Sequence, residues 1–269
     1  MRFLSYKHRL SAWRKIRCVL ILSRVKQAKT SVESHRKNFK QKSRKETAGI
    51  PTVMPPAYLD QIPKVELHAH LNGCIRERTL FELAKERSVT LNDRHFATKP
   101  SQEASDHSMY NVRPRSLKDC FEMFAEIPKC VDDLSSLSRI TKEALQDFAE
   151  HHVVYLELRS TPKQLFLHTS NDNLDELNLA DKRQYCLTIL NVMKDFEQLE
   201  RKRFVKENSQ NNDDCDPRLP MTCRLIIAVD RSKTLKEALE HIDLAVDLRK
   251  EFGDRIVGVD LGGNPTKVG

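Results

Sequence analysis

The sequence lacks closely spaced cysteine pairs and long uncharged apolar runs. Its seven cysteines are scattered along 269 residues, and none belongs to a Cys-x-x-Cys motif. This pattern indicates neither a disulfide framework nor a thiol-only zinc site, and it is typical of reduced cytosolic thiols. The longest uncharged run near the N-terminus, Cys18 to Ser23, is far shorter than the roughly 18 residues of a membrane span. We therefore expect a cytoplasmic protein with no membrane segment.

Acidic residues are scarce in the first 50 residues. This stretch contains 15 Lys and Arg but only two acids, Glu33 and Glu46, whereas the remaining chain contains 31 basic and 36 acidic residues. We interpret residues 1–57 as a disordered basic extension and linker, and residues 58–269 as the folded domain. The alternative for residues 1–50 is mitochondrial targeting. Nucleic-acid binding is the least favoured interpretation, because the positive charge is separate from the folded part.

Four short apolar runs follow the extension, and each has the length and β-branched content of a strand. They are Val65–Leu71, Val153–Leu158, Arg224–Val229 and Ile256–Leu261. Segments of helical periodicity lie between them. Strands that alternate with helices predict an α/β fold in which helices cover a parallel sheet.

Apolar stripes at spacings of three and four residues predict the helices. The stripes are Leu117–Ile127 after the capping residue Ser116, Tyr185–Leu199, and Leu235–Val246 between a Thr234–Glu237 capping box and the helix-ending Gly253. Their simplest role is to face the core. Two polar insertions, Asn92–Arg115 and Asn208–Pro220, are predicted to be surface loops.

The first predicted strand has a polar face and an apolar face. Glu66, His68, His70 and Asn72 alternate with apolar residues, so we expect the strand to be buried on its apolar side. Side chains two residues apart lie about 6.6 Å apart along a strand, and two imidazoles there can converge on one cation. Nitrogen ligands suit Zn²⁺. The alternative is a pair of exposed or hydrogen-bonded histidines, but the alternation favours a metal site.

The other three predicted strands also end in polar clusters. In a barrel of parallel strands these ends would meet at one mouth, where such barrels place their active sites. Taken singly, a Ser-Thr-Pro turn, an Asp-Arg ion pair and a Gly-Gly bend are more often structural. Because they occur at successive strand ends, we expect them to surround the histidine pair; these residues are Arg159, Ser160, Thr161, Asp230 and Gly263.

Four motifs together resemble those of the adenosine deaminase family, and specifically its adenosine deaminase-like branch, the N6-methyl-AMP deaminases. The motifs are PKVELHAHLNG at 63–73, LELRSTPK at 156–163, IAVDR at 227–231 and VDLGGNP at 259–265. The resemblance covers about residues 58–269. It implies a (β/α)₈ barrel with one zinc ion that hydrolyses the 6-amino or 6-methylamino group of a purine nucleoside or nucleotide. For a complete chain we also expect a monomer.

The resemblance also implies roles for individual residues. His68 and His70 match the first two zinc ligands of the family. The positions that match substrate contacts are Asn72, Arg159, Ser160, Thr161, Pro162, Asp230 and Gly263. In such a site zinc lowers the pKa of a water molecule, and a glutamate transfers the proton.

The sequence also departs from the family pattern. The family takes its third zinc histidine and its catalytic Glu from a His-x-x-Glu segment, yet none of the ten histidines has Glu three positions later. The Asp-Asp pair of the family's eighth strand has no counterpart either, because Asp132-Asp133 and Asp213-Asp214 lie in polar stretches. Pro128 occupies a position where relatives carry a substrate-contacting His. Asn264 replaces an Asp, and Gly262 replaces a Ser or Ala.

We therefore expect the first four β/α units of a barrel, in a chain that is incomplete or inactive. Two imidazoles fall one short of the three protein ligands usual in catalytic zinc sites, so weak zinc retention is expected unless Asp230 or a second chain completes the site. The alternative function is a non-catalytic half-barrel that binds a purine nucleotide or a partner protein.

Overall fold

The computed structural model describes residues 62–92, 117–167, 179–209 and 218–264. Several sequence predictions lie outside these ranges. They are the basic extension and linker at 1–57, the start of the folded domain, the capping role of Ser116, and most of the two predicted loops. Where the second loop begins, a helix continues to Ser209, so residues 208 and 209 belong to a helix instead.

Strands and helices alternate along most of the chain. The elements are β1 (Lys64–His70), α1 (Glu77–Glu86), α2 (Leu117–Cys130), α3 (Leu134–Glu150), β2 (Val153–Ser160), β3 (Leu165–Phe166), β4 (Leu179–Ala180), α4 (Lys182–Ser209), β5 (Thr222–Asp230), α5 (Leu235–Phe252) and β6 (Ile256–Gly262). Short 3₁₀ helices follow β1 (Leu71–Cys74) and precede β6 (Gly253–Arg255). None of the helices within the described ranges is long and apolar enough to cross a membrane.

The four predicted strands form one sheet in the order β1-β2-β5-β6. All three pairings are parallel, which confirms the predicted α/β fold with a parallel sheet. Closure into a (β/α)₈ barrel stays a prediction. The short antiparallel pair β3-β4 was not predicted, because two-residue strands leave no periodicity in the sequence.

The hydrophobic core lies between the helices and one face of this sheet. Leu156 and Leu158 of β2 and Leu225 and Ile227 of β5 are fully buried there, and α3 and α4 supply the facing aliphatic side chains. The expectation that β1 is buried on its apolar side is only half right. Val65 and Leu67 are 57% and 51% exposed, whereas Ala69 and Leu71 are buried.

Helix boundaries follow the predicted caps, but the burial of α5 does not follow its predicted stripe. Thr234 and Glu237 form the capping box, and Gly253 ends the helix with φ +56°. Leu235 and Leu239, however, are 72% and 42% exposed. The buried positions are instead His241, Ala245 and Leu248, since this face of the helix is the one that packs on β5 and β6.

A buried carboxylate fixes the start of the two strands that carry the third and fourth motifs. Glu197 of α4 accepts a hydrogen bond from the backbone N–H of Cys223 at 2.8 Å. It also accepts one from Nη2 of Arg255 at 3.0 Å. Helix α4 is thereby connected to β5 and to the turn that leads into β6.

Replacement of Glu197 by Ala should lower the free energy of unfolding by about 3 kcal/mol, because a partner of a buried charge pair is removed and a buried N–H loses its acceptor. Glu207→Ala is the matched control on the same helix. Glu207 is 42% exposed in its ion pair with Arg203, so its loss should cost below about 1 kcal/mol. Urea unfolding at pH 7 measures both, and equal losses would contradict the anchoring role.

Candidate metal centre

The side chains of the two histidines at the end of β1 lie close enough together to bind one cation between them. Their Nε2 atoms are 3.2 Å apart, and the ring planes are tilted by 51°. The register of β1 against β2 runs from Glu66 opposite Leu156 to Ala69 opposite Leu158, so β1 contains one extra residue between these points. This bulge interrupts the regular alternation that the sequence suggested, and the two imidazoles lie close together beside it.

Asp260 of β6 is the third group of this cluster. One ligand atom from each of His68, His70 and Asp260 lies within 4.8 Å of the others. The strands that carry them are at opposite edges of the sheet, and three strand spacings would separate such edges by roughly 14 Å in a flat sheet. The sheet therefore curves strongly, with these side chains on its concave face.

Strand register explains why Asp260 lies on this face. His70 pairs with Arg159, Arg159 with Ile226, and Ile226 with Gly258. Asp260 is two residues beyond Gly258, and residues two apart in a strand share a face. Sequence analysis did not select Asp260, because its apolar neighbours suggested only a buried strand. The signal that could have found it was a single carboxylate inside an otherwise apolar strand.

Arg159 connects the cluster to the sheet. Its Nη1 lies 2.9 Å from Oδ1 of Asp260, and its Nη2 donates a 2.8 Å hydrogen bond to the carbonyl oxygen of Leu67. The remaining donor, Nε, is buried with no hydrogen-bond partner among the described residues. Arg159 was predicted to contact substrate, but two of its donor groups hold β1 and β6 in place.

Local electrostatics favour neutral side chains around the pair. Burial, followed by the neighbouring His68, lowers the pKa of His70, and the neutral imidazole is the form that binds metals. Burial raises the pKa of the Cys74 thiol to about 11, and this thiol donates to the carbonyl oxygen of His70 at 3.2 Å. Cys74 is therefore a neutral neighbour of the site, since only a thiolate is a good ligand.

The predicted substrate contacts fall into different surroundings. The Ser160 hydroxyl forms a 2.6 Å hydrogen bond with the hydroxyl of Tyr185 in the helix layer, so a contact with substrate would have to come from its backbone. Thr161 is exposed and Pro162 is buried. Asn72 lies in the 3₁₀ helix that follows β1 and not on the strand face assigned to it, because the strand already ends at His70.

Asp230 and Gly263 form one compact contact at the ends of β5 and β6. Oδ1 of Asp230 accepts hydrogen bonds from the backbone N–H and the hydroxyl of Ser232 at 2.9 and 2.8 Å. Gly263 has φ +94°, and a Cβ there would collide with the Asp230 carboxylate. Among the described residues, the groups that lie together as possible metal ligands are His68, His70 and Asp260, so the expectation that Asp230 completes the metal site is not supported.

The other departures from the family pattern have structural roles or exposed positions. Asp133 caps α3, where its side chain accepts a 2.6 Å hydrogen bond from the backbone N–H of Ser136. Asp132 and Asp133 both pair with Arg87. Pro128 lies inside α2 and is exposed. Asp213-Asp214 lies outside the described residues.

The family profile described as adenosine deaminase matches residues 63–269. The chain belongs to the adenosine deaminase family. A relative from Arabidopsis thaliana, named N6-mAMP deaminase, is 34% identical over 214 residues, which cover 77% of this chain and 54% of the relative. N6-Methyl-AMP deaminase from Danio rerio is 32% identical over 206 residues, or 77% of this chain and 48% of that protein. The chain thus spans about half the length of these relatives.

Solved structures agree with this assignment. Arabidopsis ADAL complexed with IMP aligns with a TM-score of 0.53 at 31% identity, covering 79% of this chain and 53% of the other. An amidohydrolase from Burkholderia ambifaria aligns with a TM-score of 0.51 at 18% identity, covering 81% and 50%. At that identity the second likeness shows the fold alone.

Gly263→Ala should reduce stability by about 1–3 kcal/mol, because an L-residue is strained at this positive φ and its Cβ would displace Asp230. Gly258→Ala is the control. A Cβ at Gly258 in the same strand region would meet no atom within 4 Å. Thermal unfolding followed by circular dichroism compares the two variants, and equal effects would refute the proposed close contact.

Proposed function

We propose that this chain carries the metal-binding half of a zinc-dependent aminohydrolase, which converts the 6-amino or 6-methylamino group of a purine nucleoside or nucleotide to a 6-oxo group. The observation that carries the proposal is the convergence of His68 and His70 within the matched family region. Family members are deaminating hydrolases. The similar Arabidopsis protein has been solved with IMP and with GMP, which supports a purine nucleotide as the ligand.

The histidine geometry fits zinc. Zn–N bonds are about 2.0–2.1 Å long, and a tetrahedral angle then places two ligand nitrogens about 3.4 Å apart. The observed Nε2 separation is 3.2 Å. Zinc held there would supply an activated water for attack on the purine carbon that bears the amine.

The surrounding residues would then position this chemistry. Arg159 keeps β1 and β6 at a fixed separation through Leu67 and Asp260. Ser232 orients the Asp230 carboxylate, and Gly263 lets the backbone approach it closely. We propose that the purine-nucleotide contacts of this half are Asp230, Gly263, Asn72, Thr161, Pro162 and the backbone of Ser160.

Proton transfer to the leaving amine needs an acid/base group. In the family this group is the Glu of a His-x-x-Glu segment, and this sequence contains no such segment. No histidine has Glu three residues later, and the chain covers about half of its relatives. We therefore propose that the third histidine and the catalytic Glu come from outside these 269 residues. We further propose a cytoplasmic location, with mitochondrial targeting through residues 1–50 as the alternative, and a monomer.

Exposed apolar side chains on both edge strands favour a second candidate function, in which the chain binds a ligand or partner without catalysis. Val65 and Leu67 on β1 and Leu261 on β6 are each more than half exposed. A non-catalytic half-barrel that binds a purine nucleotide or a partner protein would also account for the missing Glu. Turnover and binding measurements distinguish the two functions.

The purified 269-residue chain should show no detectable deamination of adenosine, AMP or N6-methyl-AMP. General acid/base catalysis alone is typically worth about 10²–10⁴-fold, and its usual donor is absent. Chromatographic detection of inosine or IMP after incubation with zinc measures this. Zinc-dependent turnover that disappears in His70→Ala would show that this chain supplies its own proton-transfer group.

A longer chain that contains these residues together with the family's later segments would provide the positive arm. If it contains His-x-x-Glu and Asp-Asp segments, it should deaminate at least one of the three substrates and lose that activity in His68→Ala. If such a product binds IMP but remains inactive, the non-catalytic function is the correct one.

A further inference from the structure

We propose that Tyr185 is a positioning residue of the purine-nucleotide site, because its hydroxyl group holds the end of β2 at the point where Thr161 and Pro162 follow. The inference rests on the proposed function, in which Thr161, Pro162 and the backbone of Ser160 contact the nucleotide. Tyr185 itself is buried in the helix layer, so it acts on the ligand only through Ser160 and the residues after it.

The hydrogen bond between Tyr185 and Ser160 is short and enclosed. The two hydroxyl oxygens lie 2.6 Å apart, and the two residues are 1% and 7% exposed. Burial raises the pKa of the Tyr185 hydroxyl, so this group stays protonated and the pair stays neutral. A buried hydroxyl that loses its partner costs free energy. The interior of the protein therefore favours the arrangement in which these two groups remain together.

Tyr185 is itself held firmly at the start of α4. Its backbone N–H donates a 3.0 Å hydrogen bond to the carbonyl oxygen of Asp181. The side chains of Asp181 and Gln184 bind each other's backbone N–H, at 2.7 and 2.8 Å, in the reciprocal manner of a capping box. The Tyr185 hydroxyl is thus a fixed point to which the end of β2 is attached.

Thr161 and Pro162 lie between two restraints. The first is the hydrogen bond of Ser160, and the second is the antiparallel pairing of β3 with β4, which begins at Leu165. The segment between them is four residues long. Proline fixes its own φ and restricts the residue before it, so the segment has little freedom of its own. Its direction is therefore decided by how its two ends are held, and Tyr185 holds one of them.

A contact segment that is already ordered should strengthen ligand binding. A segment that is free in the unbound protein has to be ordered when the ligand binds, and this cost lowers the affinity. Removal of the restraint at Tyr185 should therefore weaken nucleotide binding, although no atom that touches the nucleotide has changed. The net contribution of one hydrogen bond corresponds to about a fivefold change in Kd.

The test compares stability with IMP affinity in the full 269-residue chain, by urea unfolding and by isothermal titration calorimetry. Tyr185→Phe and Ser160→Ala each leave one buried hydroxyl without its partner, so both should lower the urea midpoint and weaken IMP binding about fivefold. The double variant removes both hydroxyls, which is close to neutral for stability. It should unfold nearly as the wild type does, yet bind IMP about fivefold more weakly.

Tyr155→Phe is the matched control on the same strand. Tyr155 lies near the start of β2, where its hydroxyl donates a 2.8 Å hydrogen bond to Oε1 of Glu157. It is about 16 Å from Ser160 along the strand. Loss of this hydroxyl should leave the Kd for IMP unchanged.

The outcomes separate this inference from the proposed function. If the double variant recovers both stability and IMP affinity, the hydrogen bond is purely structural and the inference is wrong, while the proposed nucleotide contacts stand. The same conclusion follows if Tyr185→Phe binds IMP as tightly as the wild type. If the wild type binds no IMP, the proposed nucleotide contacts fail and the inference fails with them. The double variant also covers a failure of either single variant to fold, because it contains no unpaired hydroxyl at this contact.

Discussion

The guanidinium group of Arg159 connects three strands of the parallel sheet, and the geometry of the site depends on it. The residue itself belongs to β2, its Nη2 binds the carbonyl oxygen of Leu67 in β1, and its Nη1 binds Asp260 in β6. The order of the strands places both edges within reach of this one side chain. The planar guanidinium group presents several N–H donors in a fixed arrangement, so it can bind two partners at once. The ammonium group of a lysine is a compact point charge without this arrangement.

The alternation of side chains along a strand decides which members of a motif can act on a ligand. Arg159 and Ser160 are consecutive, and consecutive strand residues point to opposite faces. Arg159 consequently reaches the concave face, while the Ser160 hydroxyl binds Tyr185 among the helices. A match to a family motif assigns a role to the segment, and the alternation of the strand then assigns each side chain to the site or to the core.

Much of the fold was accessible from sequence because its signals are local. The four strands, the Thr234–Glu237 capping box and the terminal Gly253 each depend on a few neighbouring residues. The histidine pair was equally visible, since both ligands lie on one strand. Asp260 was not, because its position beside the histidines depends on the register of three strand pairs. The exposed stripe of α5 was also missed, because periodicity shows that a helix has an apolar face but does not show what covers it.

The positions of the histidines and of Asp260 have a consequence for the order in which the domain forms. The histidines belong to the first described strand and Asp260 to the last, whereas chains fold progressively as they leave the ribosome. Arg159 can meet both of its partners only after β6 has paired with β5. The contacts beside the histidine pair would therefore be completed late in biogenesis, and a nascent chain that stalls before β6 would leave Arg159 with the carbonyl oxygen of Leu67 alone.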